Sequence, residues 1–216
     1  MRPKNGTVKY QRFGTKTMDD SAAPENDHAG RLLDGMARAV AAKGYADATI
    51  ADIVREAGVS RRTFYEHFTT KAECLIALYE TASLRVLGVL RKAIDGRRHW
   101  DAQLEDALAA YFGAMAANPD LLRTLFIEIL GLGPDGLAAR RRANQQIAEF
   151  VLSVANSPSA GRRRKLSPQM AMAVVGGINE LVLTYIERDR VSALQELVGP
   201  ASELVRAAVL APNSRA

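Results

Sequence analysis

The sequence is poor in cysteine and histidine, and these shortages argue against two classes of protein. Of 216 residues, one is cysteine and three are histidine. A single cysteine cannot form an internal disulfide framework. Cys74 lies in an apolar helical pattern, so we expect a small core residue, with a redox sensor as the alternative. His28, His67 and His99 are far apart and share no metal-ligand spacing, which argues against a metal site.

Long apolar runs and recognisable catalytic motifs are also missing. No apolar run approaches the roughly 20 residues of a membrane span, and the N-terminus has no apolar signal-peptide core. The single cysteine fits a reducing compartment, so we expect a cytoplasmic protein. The chain has no phosphate-binding loop, no paired metal ligands and no suitably placed neighbour for its cysteine. We therefore expect neither an enzyme nor a bound cofactor.

What is present is a dense pattern of two short helices joined by a tight turn, from Thr49 to Phe68. Apolar residues at helical spacing give the first helix a buried face: Ile50, Ile53, Val54 and Ala57. Thr49 is placed to cap this helix, and Gly58 to end it in the left-handed conformation. Ser60 then caps a second helix beginning at Arg61. This is the layout that puts a second helix into a DNA major groove.

The second helix has an apolar side and a basic start. Phe64 and Phe68 are four residues apart and are predicted core anchors, and Val59 is a predicted buried plug between the helices. A helix N-terminus attracts phosphate, and arginine is the side chain best shaped to read guanine. Arg61 and Arg62 at this end therefore predict DNA binding. The alternative is a helix corner that binds nothing.

This segment resembles the signature of the tetracycline-repressor-like (TetR) family of bacterial regulators over residues 31 to 78. The matching positions are Thr49, Ala57-Gly58-Val59-Ser60, Phe64-Tyr65, His67-Phe68 and Lys71. The resemblance implies an all-α fold of about nine helices. A helix-turn-helix domain would occupy residues 29–75, and a helical ligand-binding and dimerisation domain residues 76–211. The family usually has a small residue where this chain has Arg62, so the operator sequence does not follow by analogy.

The resemblance also implies roles for individual side chains at the DNA. Phosphate contacts are expected from Thr49, Tyr65, His67 and Lys71. Base-edge contacts are expected from Arg61, Arg62 and Thr63, beside the capping Ser60. Three of these have alternatives that the sequence leaves open. Tyr65 would then simply pack, His67 would be a core or capping histidine, and Lys71 a solvated lysine.

Positive charge is in modest excess, with a formal net charge of +5 and a pI near 9.5. This is compatible with a polyanionic partner. Residues 1–28 lack periodicity and run from basic to acidic, which predicts a disordered arm. The arm either folds along the DNA or is a solvated tail. The run Arg162–Lys165 is predicted to be a solvated loop, with a second DNA site as the alternative.

The remainder of the chain is predicted to be helical. A first helix should end near Lys43-Gly44, and Gly199-Pro200 should kink or divide the last one. Two apolar stripes near the end, from Val174 to Ile186 and from Leu194 to Val209, are typical of core. The resemblance implies that these two helices instead form a four-helix homodimer interface.

The middle helices are expected to hold a small-molecule pocket, as is common in the family. The candidate wall residues are Tyr111, Phe112, Met115, Phe126, Asn179 and Glu180. The alternative for each is a plain core residue. Glu128 is expected to pair with an arginine such as Arg123.

Together these features favour a homodimeric DNA-binding transcriptional regulator. The leading form is a repressor released from a palindromic operator by a small-molecule ligand. A ligand-independent architectural DNA-binding protein and a helical enzyme are the competing interpretations. Activator and repressor use the same DNA reader, so the sequence does not separate them.

Overall fold

The computed structural model describes residues 27–95, 97–157 and 165–210, and these form nine α-helices without a strand. The helices are α1 (His28–Asp47), α2 (Ile50–Ala57), α3 (Arg61–His67), α4 (Lys71–Ala93), α5 (Trp100–Ala116), α6 (Pro119–Phe126), α7 (Pro134–Ala155), α8 (Pro168–Glu187) and α9 (Val198–Leu210). Two 3₁₀ helices, Glu128–Leu132 and Val191–Leu197, precede α7 and α9. The predicted all-α class is confirmed.

The caps of α2 and α3 are those that the sequence predicts. Thr49 accepts a hydrogen bond from the Asp52 backbone N–H, and Asp52 accepts one from the Thr49 backbone N–H, which completes a capping box. Gly58 ends α2 in the left-handed conformation, with φ 64° and ψ 37°. Ser60 caps α3 by accepting from the Thr63 N–H at 3.0 Å. Local sequence therefore fixes both helices and the turn.

Helix α1 braces this pair from behind. Gly35 lies against α2 so closely that a Cβ at this position would be 2.6 Å from the Ile53 carbonyl oxygen. At the other end of α2, the Arg31 side chain donates to the carbonyl oxygens of Ala57 and Gly58, at 3.1 and 2.5 Å. These carbonyl oxygens lie at the C-terminus of a helix, where the backbone offers them no N–H donor within the helix. Backbone contact and arginine capping together hold the angle between α1 and α2.

The apolar core has two parts. One surrounds α1–α3 and the first half of α4, and it also includes Leu121, Ile129 and Ala139 from later elements. The other lies among α5, α7, α8 and α9 and the far end of α4. Cys74 is fully buried in the first part, where burial raises the pKa of its thiol to about 12. The expected core role of Cys74 is thus confirmed, and a buried neutral thiol is unsuited to redox sensing.

The predicted helix breaks are found, and two burial expectations need correction. The regular part of α1 ends at the predicted Lys43-Gly44, because Gly44 is non-helical with φ 76° and ψ 161°, and a further turn then runs to Asp47. The last segment is divided directly before Gly199-Pro200, where the 3₁₀ helix Val191–Leu197 ends and α9 begins, and Pro200 lies in the first turn of α9, where its missing N–H is not required. Val59 is half-buried rather than a buried plug. Phe64 is fully buried as predicted, whereas Phe68 is half-buried.

Two predicted segments fall largely outside the described residues. Residues 1–26 of the predicted arm are not described, and its last residue, His28, is the first residue of α1. Of the basic run from Arg162, only Lys165 is described, and it is exposed.

Among the described residues, α8 is long and apolar enough to span a membrane by length and composition alone. Core helices of soluble proteins pass the same test. Here α8 packs on α7 and α9 and buries Val174, Val182 and Ile186 between them. Gly177 permits this packing, because a Cβ there would lie 2.9 Å from the Leu204 side chain. The predicted apolar stripe of α8 therefore belongs at least in part to the core of a single chain.

Candidate DNA interface and ligand cavity

Helix α3 turns one apolar residue inward and most of its other side chains toward solvent. Phe64 is fully buried, while Arg61, Arg62 and Glu66 are exposed. Tyr65 is 53% exposed, with its ring edge-on to that of Phe64 at 5.5 Å between centroids. Tyr65 is therefore not a core tyrosine, and its spacing of three and four residues from Arg62 and Arg61 puts it on the same side of α3. The arrangement suits a helix that inserts into a groove.

The polar side chains at the start of α3 are already ordered by one another. The Ser60 and Thr63 hydroxyls are 2.9 Å apart, and Arg62 Nε donates to Glu66 Oε1 at 3.1 Å. Arg61 forms no hydrogen bond or ion pair with any described residue. Within the described part of the chain, the N-terminus of α3 therefore presents the Arg61 guanidinium without a partner, beside a positive helix end.

The four residues expected at phosphates have different environments. The Thr49 hydroxyl accepts from the Asp52 N–H and donates to the Asp52 carboxylate at 2.7 Å, so it serves the cap. His67 is exposed, with its ring 6.3 Å from that of His28. An exposed ring at this position is free to meet a phosphate, as is the hydroxyl of Tyr65.

The ammonium of Lys71 is turned inward to the backbone around Tyr45. Its Nζ donates to the carbonyl oxygens of Tyr45, Ala46 and Ala48 at 2.7, 3.3 and 2.7 Å, and lies 4.2 Å from the centre of the Tyr45 ring. An ammonium has three N–H donors, so all three are used. The structure gives Lys71 a role in joining α4 to the end of α1 rather than a solvated position.

The Asp52 carboxylate, at the start of α2, accepts hydrogen bonds from several side chains. It is buried, and the Lys43 ammonium at 2.7 Å, the Thr49 donors and Arg55 together hold the pKa of its carboxyl well below the usual range. The carboxylate therefore stays ionised at neutral pH. It fixes Thr49 and the start of α2 behind the recognition surface.

A direct bond links this region to the later helices. Glu128, in the first 3₁₀ helix, accepts from the Tyr45 backbone N–H at 3.0 Å. The expected pairing of Glu128 with Arg123 is therefore not found, because the carboxylate reaches the N–H that the kink at Gly44 exposes. A Cβ at Gly136 would lie 1.8 Å from the Ile129 carbonyl oxygen, so α7 and the 3₁₀ helix are in close backbone contact. The end of α1 is thus joined to both α4 and α7.

The other half of the molecule contains a cavity of about 80 Å³. This is several times the roughly 10–15 Å³ that one water requires. Its lining is apolar apart from Gln103 and the polar atoms of two aromatic residues. The lining residues are Leu90 of α4 and Ile94 directly after it; Trp100, Gln103, Leu104, Ala107, Leu108 and Tyr111 of α5; Ile147, Phe150, Val151, Val154 and Ala155 of α7; Val174, Val175 and Ile178 of α8; and Val205 of α9.

Helix α5 contributes much of the cavity wall. Its lining residues run from Trp100 to Tyr111, a length of about 16 Å at the helical rise per residue. Gln103 is buried, and its amide nitrogen donates to the Arg98 carbonyl at 2.6 Å. Burial raises the pKa of the Tyr111 phenol, which therefore stays neutral. A cavity lined in this way suits a hydrocarbon group better than a polar ligand.

Of the six side chains expected at a pocket, Tyr111 lines this cavity and the other five do not. Phe112 and Met115 are buried in the core, and Phe126 is half-buried. Asn179 is buried and donates to the Asn144 side chain at 3.1 Å, whereas Glu180 is exposed. Asn179 therefore joins α8 to α7, whereas Glu180 faces solvent.

The sequence reasoning missed most of the wall. Ile147, Phe150, Val151 and Val154 recur at helical spacing in α7, and that signal was available. Spacing alone does not tell a helix face that fills a core from one that borders a cavity. Polar residues within an apolar helix pattern indicated Asn179 and Glu180 of α8 instead.

Comparison with known proteins gives a consistent result. The family model "Bacterial regulatory proteins, tetR family" matches residues 32–78. The chain is 21% identical to the fatty acid metabolism regulator protein of Bacillus subtilis, over 81% of this chain and 92% of that protein. It is 25% identical to the HTH-type transcriptional activator FasR of Mycolicibacterium smegmatis, over 77% of this chain and 76% of that protein.

Solved structures share the fold. The regulator FadR of Bacillus subtilis in complex with stearoyl-CoA superposes with a TM-score of 0.71 at 18% identity, covering 81% of this chain and 96% of that one. FadR of Bacillus halodurans gives the same TM-score and coverage at 19% identity. The family model places residues 32–78 in the helix-turn-helix domain of the TetR family of bacterial regulators, and the rest of the chain shares the helical fold of the solved structures.

Proposed function

We propose that this protein is a homodimeric repressor that is released from a palindromic operator by a long-chain fatty acyl ligand, such as an acyl-CoA. The observation that carries the ligand class is the almost wholly apolar cavity wall, to which α5 contributes residues over about 16 Å of its length. One relative is named a fatty acid metabolism regulator, and a structural neighbour holds stearoyl-CoA. The chemistry of the cavity and the ligands of these relatives point to the same class.

The DNA contacts are proposed for the exposed face of α3. Arg61, Arg62 and Thr63 would face the bases, while Tyr65 and His67 would meet phosphates beside the Ser60 cap. One helix-turn-helix makes few contacts, so two half-sites bound by a dimer would combine their binding energy. The remaining exposed parts of α8 and α9 are the proposed dimer face. FasR is named an activator, so a transcription assay must be able to detect activation as well as repression.

The response to ligand is proposed to pass through α4. Leu90 and Ile94 at its far end line the cavity, and Lys71 at its near end binds the backbone behind α2. A ligand shifts such an equilibrium only if it binds one conformation better than the other. An acyl chain that widens the cavity would favour the conformation with α4 tilted.

Replacing Arg61 by alanine is expected to weaken operator binding by about 5- to 150-fold, the range for losing a bidentate arginine–guanine contact. The operator is first obtained by selection from random-sequence duplexes, and affinity is measured by fluorescence anisotropy. Arg91→Ala is the matched control, because Arg91 is also exposed but lies in the last turn of α4. Operator binding by Arg61→Ala at the parent level would exclude α3 as the reader.

Filling the cavity is expected to abolish the ligand response without affecting DNA binding. Ala107 is buried in the cavity wall, so Ala107→Leu adds three carbons to the space that the acyl chain would occupy. We expect stearoyl-CoA to release the parent protein from operator DNA and to require at least a tenfold higher concentration for the variant. Ala138→Leu, on the exposed side of α7, is the control. A parent protein indifferent to acyl-CoAs from eight to eighteen carbons would refute the ligand class.

A further inference from the structure

Helix α3 carries one acidic side chain, Glu66, on an otherwise basic and polar exposed face. A carboxylate beside DNA is repelled by the phosphates, so its presence there works against overall affinity. Neither the cap of α3 nor its buried side involves Glu66. Its hydrogen bond is to Arg62, from Nε to Oε1 at 3.1 Å.

This ion pair contributes little to folding. The side chains of Arg62 and Glu66 are 90% and 52% exposed, and they are four residues apart on one helix. Exposed pairs of this kind contribute little to the stability of a helix. The stability of α3 therefore does not account for a carboxylate at this position.

The geometry of the pair suits a different role. Glu66 engages the Nε of the guanidinium, and the two terminal nitrogens of Arg62 take no part in that hydrogen bond. Guanine is read through O6 and N7 by two donors from one planar group. An arginine already held by a neighbour loses less rotamer freedom when it docks, and this lowers the entropic cost of binding.

We propose that Glu66 is a specificity-determining residue that positions Arg62 to read one guanine of the operator. This inference rests on the proposed function of α3 as the DNA reader. Glu66 acts in two ways on the ratio of specific to non-specific binding. It orders Arg62 for the correct base, and its charge weakens attachment to phosphates at every other sequence.

The test separates these two effects with Glu66→Ala, Arg62→Ala and the double variant. Each is measured by anisotropy on the selected operator, on operators with single base-pair changes and on a random duplex. We expect Glu66→Ala to lower the preference for guanine at one position by at least about threefold. The same variant should bind the random duplex about two- to fivefold more tightly, because a repulsive charge is removed. A merely structural role would produce neither change.

The double-mutant cycle decides whether Glu66 acts through Arg62. With Arg62 already replaced by alanine, Glu66→Ala should cause no further loss of base preference. Glu149→Ala, which removes an exposed charge from α7, is the control for net charge. If Glu66→Ala keeps the parent base preference at every position, the inference is wrong although the DNA-reader assignment stands. If the parent selects no sequence at all, the proposed function itself fails.

Discussion

Gly35→Ala is expected to lower the free energy of unfolding by about 2 kcal/mol or more and to abolish operator binding. The added Cβ would lie 2.6 Å from the Ile53 carbonyl oxygen and 2.9 Å from both the backbone nitrogen and the Cβ of Ala57. These are mainly backbone atoms, so no side-chain rotation relieves the clash. Helix α2 must move away from α1, and the Arg31 bonds to its C-terminus then lengthen.

Gly88→Ala is the matched control, since it makes the same substitution in the helical part of α4. A Cβ at Gly88 meets no atom within 4 Å. Alanine favours helix over glycine by about 1 kcal/mol, so this variant should be slightly more stable than the parent. Urea denaturation followed by circular dichroism measures the free energy of unfolding of both variants. Equal stability of the two variants would mean that α1 and α2 are not in the described contact.

Lys71→Met is expected to lower the free energy of unfolding by about 2–3 kcal/mol, because three carbonyl oxygens lose a charged donor at once. The bonds join Tyr45, Ala46 and Ala48 to the first turn of α4. Methionine keeps much of the length of the side chain but donates no hydrogen bond. Lys92→Met, at an exposed position near the other end of α4, should change stability little.

Salt dependence distinguishes the two roles considered for Lys71. A lysine that contacts phosphate contributes about one unit to the slope of log affinity against log salt concentration. Because the ammonium is fully used by carbonyl oxygens, we expect Lys71→Met to keep the parent slope at a temperature where it remains folded. A slope reduced by about one would show that Lys71 meets phosphate and that its inward contacts open on binding.

The helix-turn-helix was predictable because its determinants are local. The caps Thr49 and Ser60 and the left-handed Gly58 act within three or four residues of their own positions. The bonds of Lys71 and Glu128 were not predictable in the same way. Lys71 reaches back 23 to 26 residues and Glu128 reaches 83 residues, and a single sequence carries no signal for such pairings.

The cavity was the least predictable feature, for a related reason. Its wall combines residues from five helices. The sequence predicts Tyr111 as a wall residue but does not predict Gln103. Apolar spacing reports that a helix face is buried but not whether the space beside it is filled. Empty volume is a property of how helices of given length and angle meet, so it emerges only with the tertiary structure.

Helix α4 can also be viewed as a lever. It contains 23 residues, and its length is therefore about 34 Å. Turning a rod of that length by about 5° about its cavity end moves its Lys71 end by about 3 Å, close to the roughly 3.4 Å that separates neighbouring base pairs. Lys71 binds the backbone behind α2, so a movement of this end would carry the helix-turn-helix with it. Under the proposed response, a tilt of a few degrees at the cavity would therefore displace α3 by about one base-pair step.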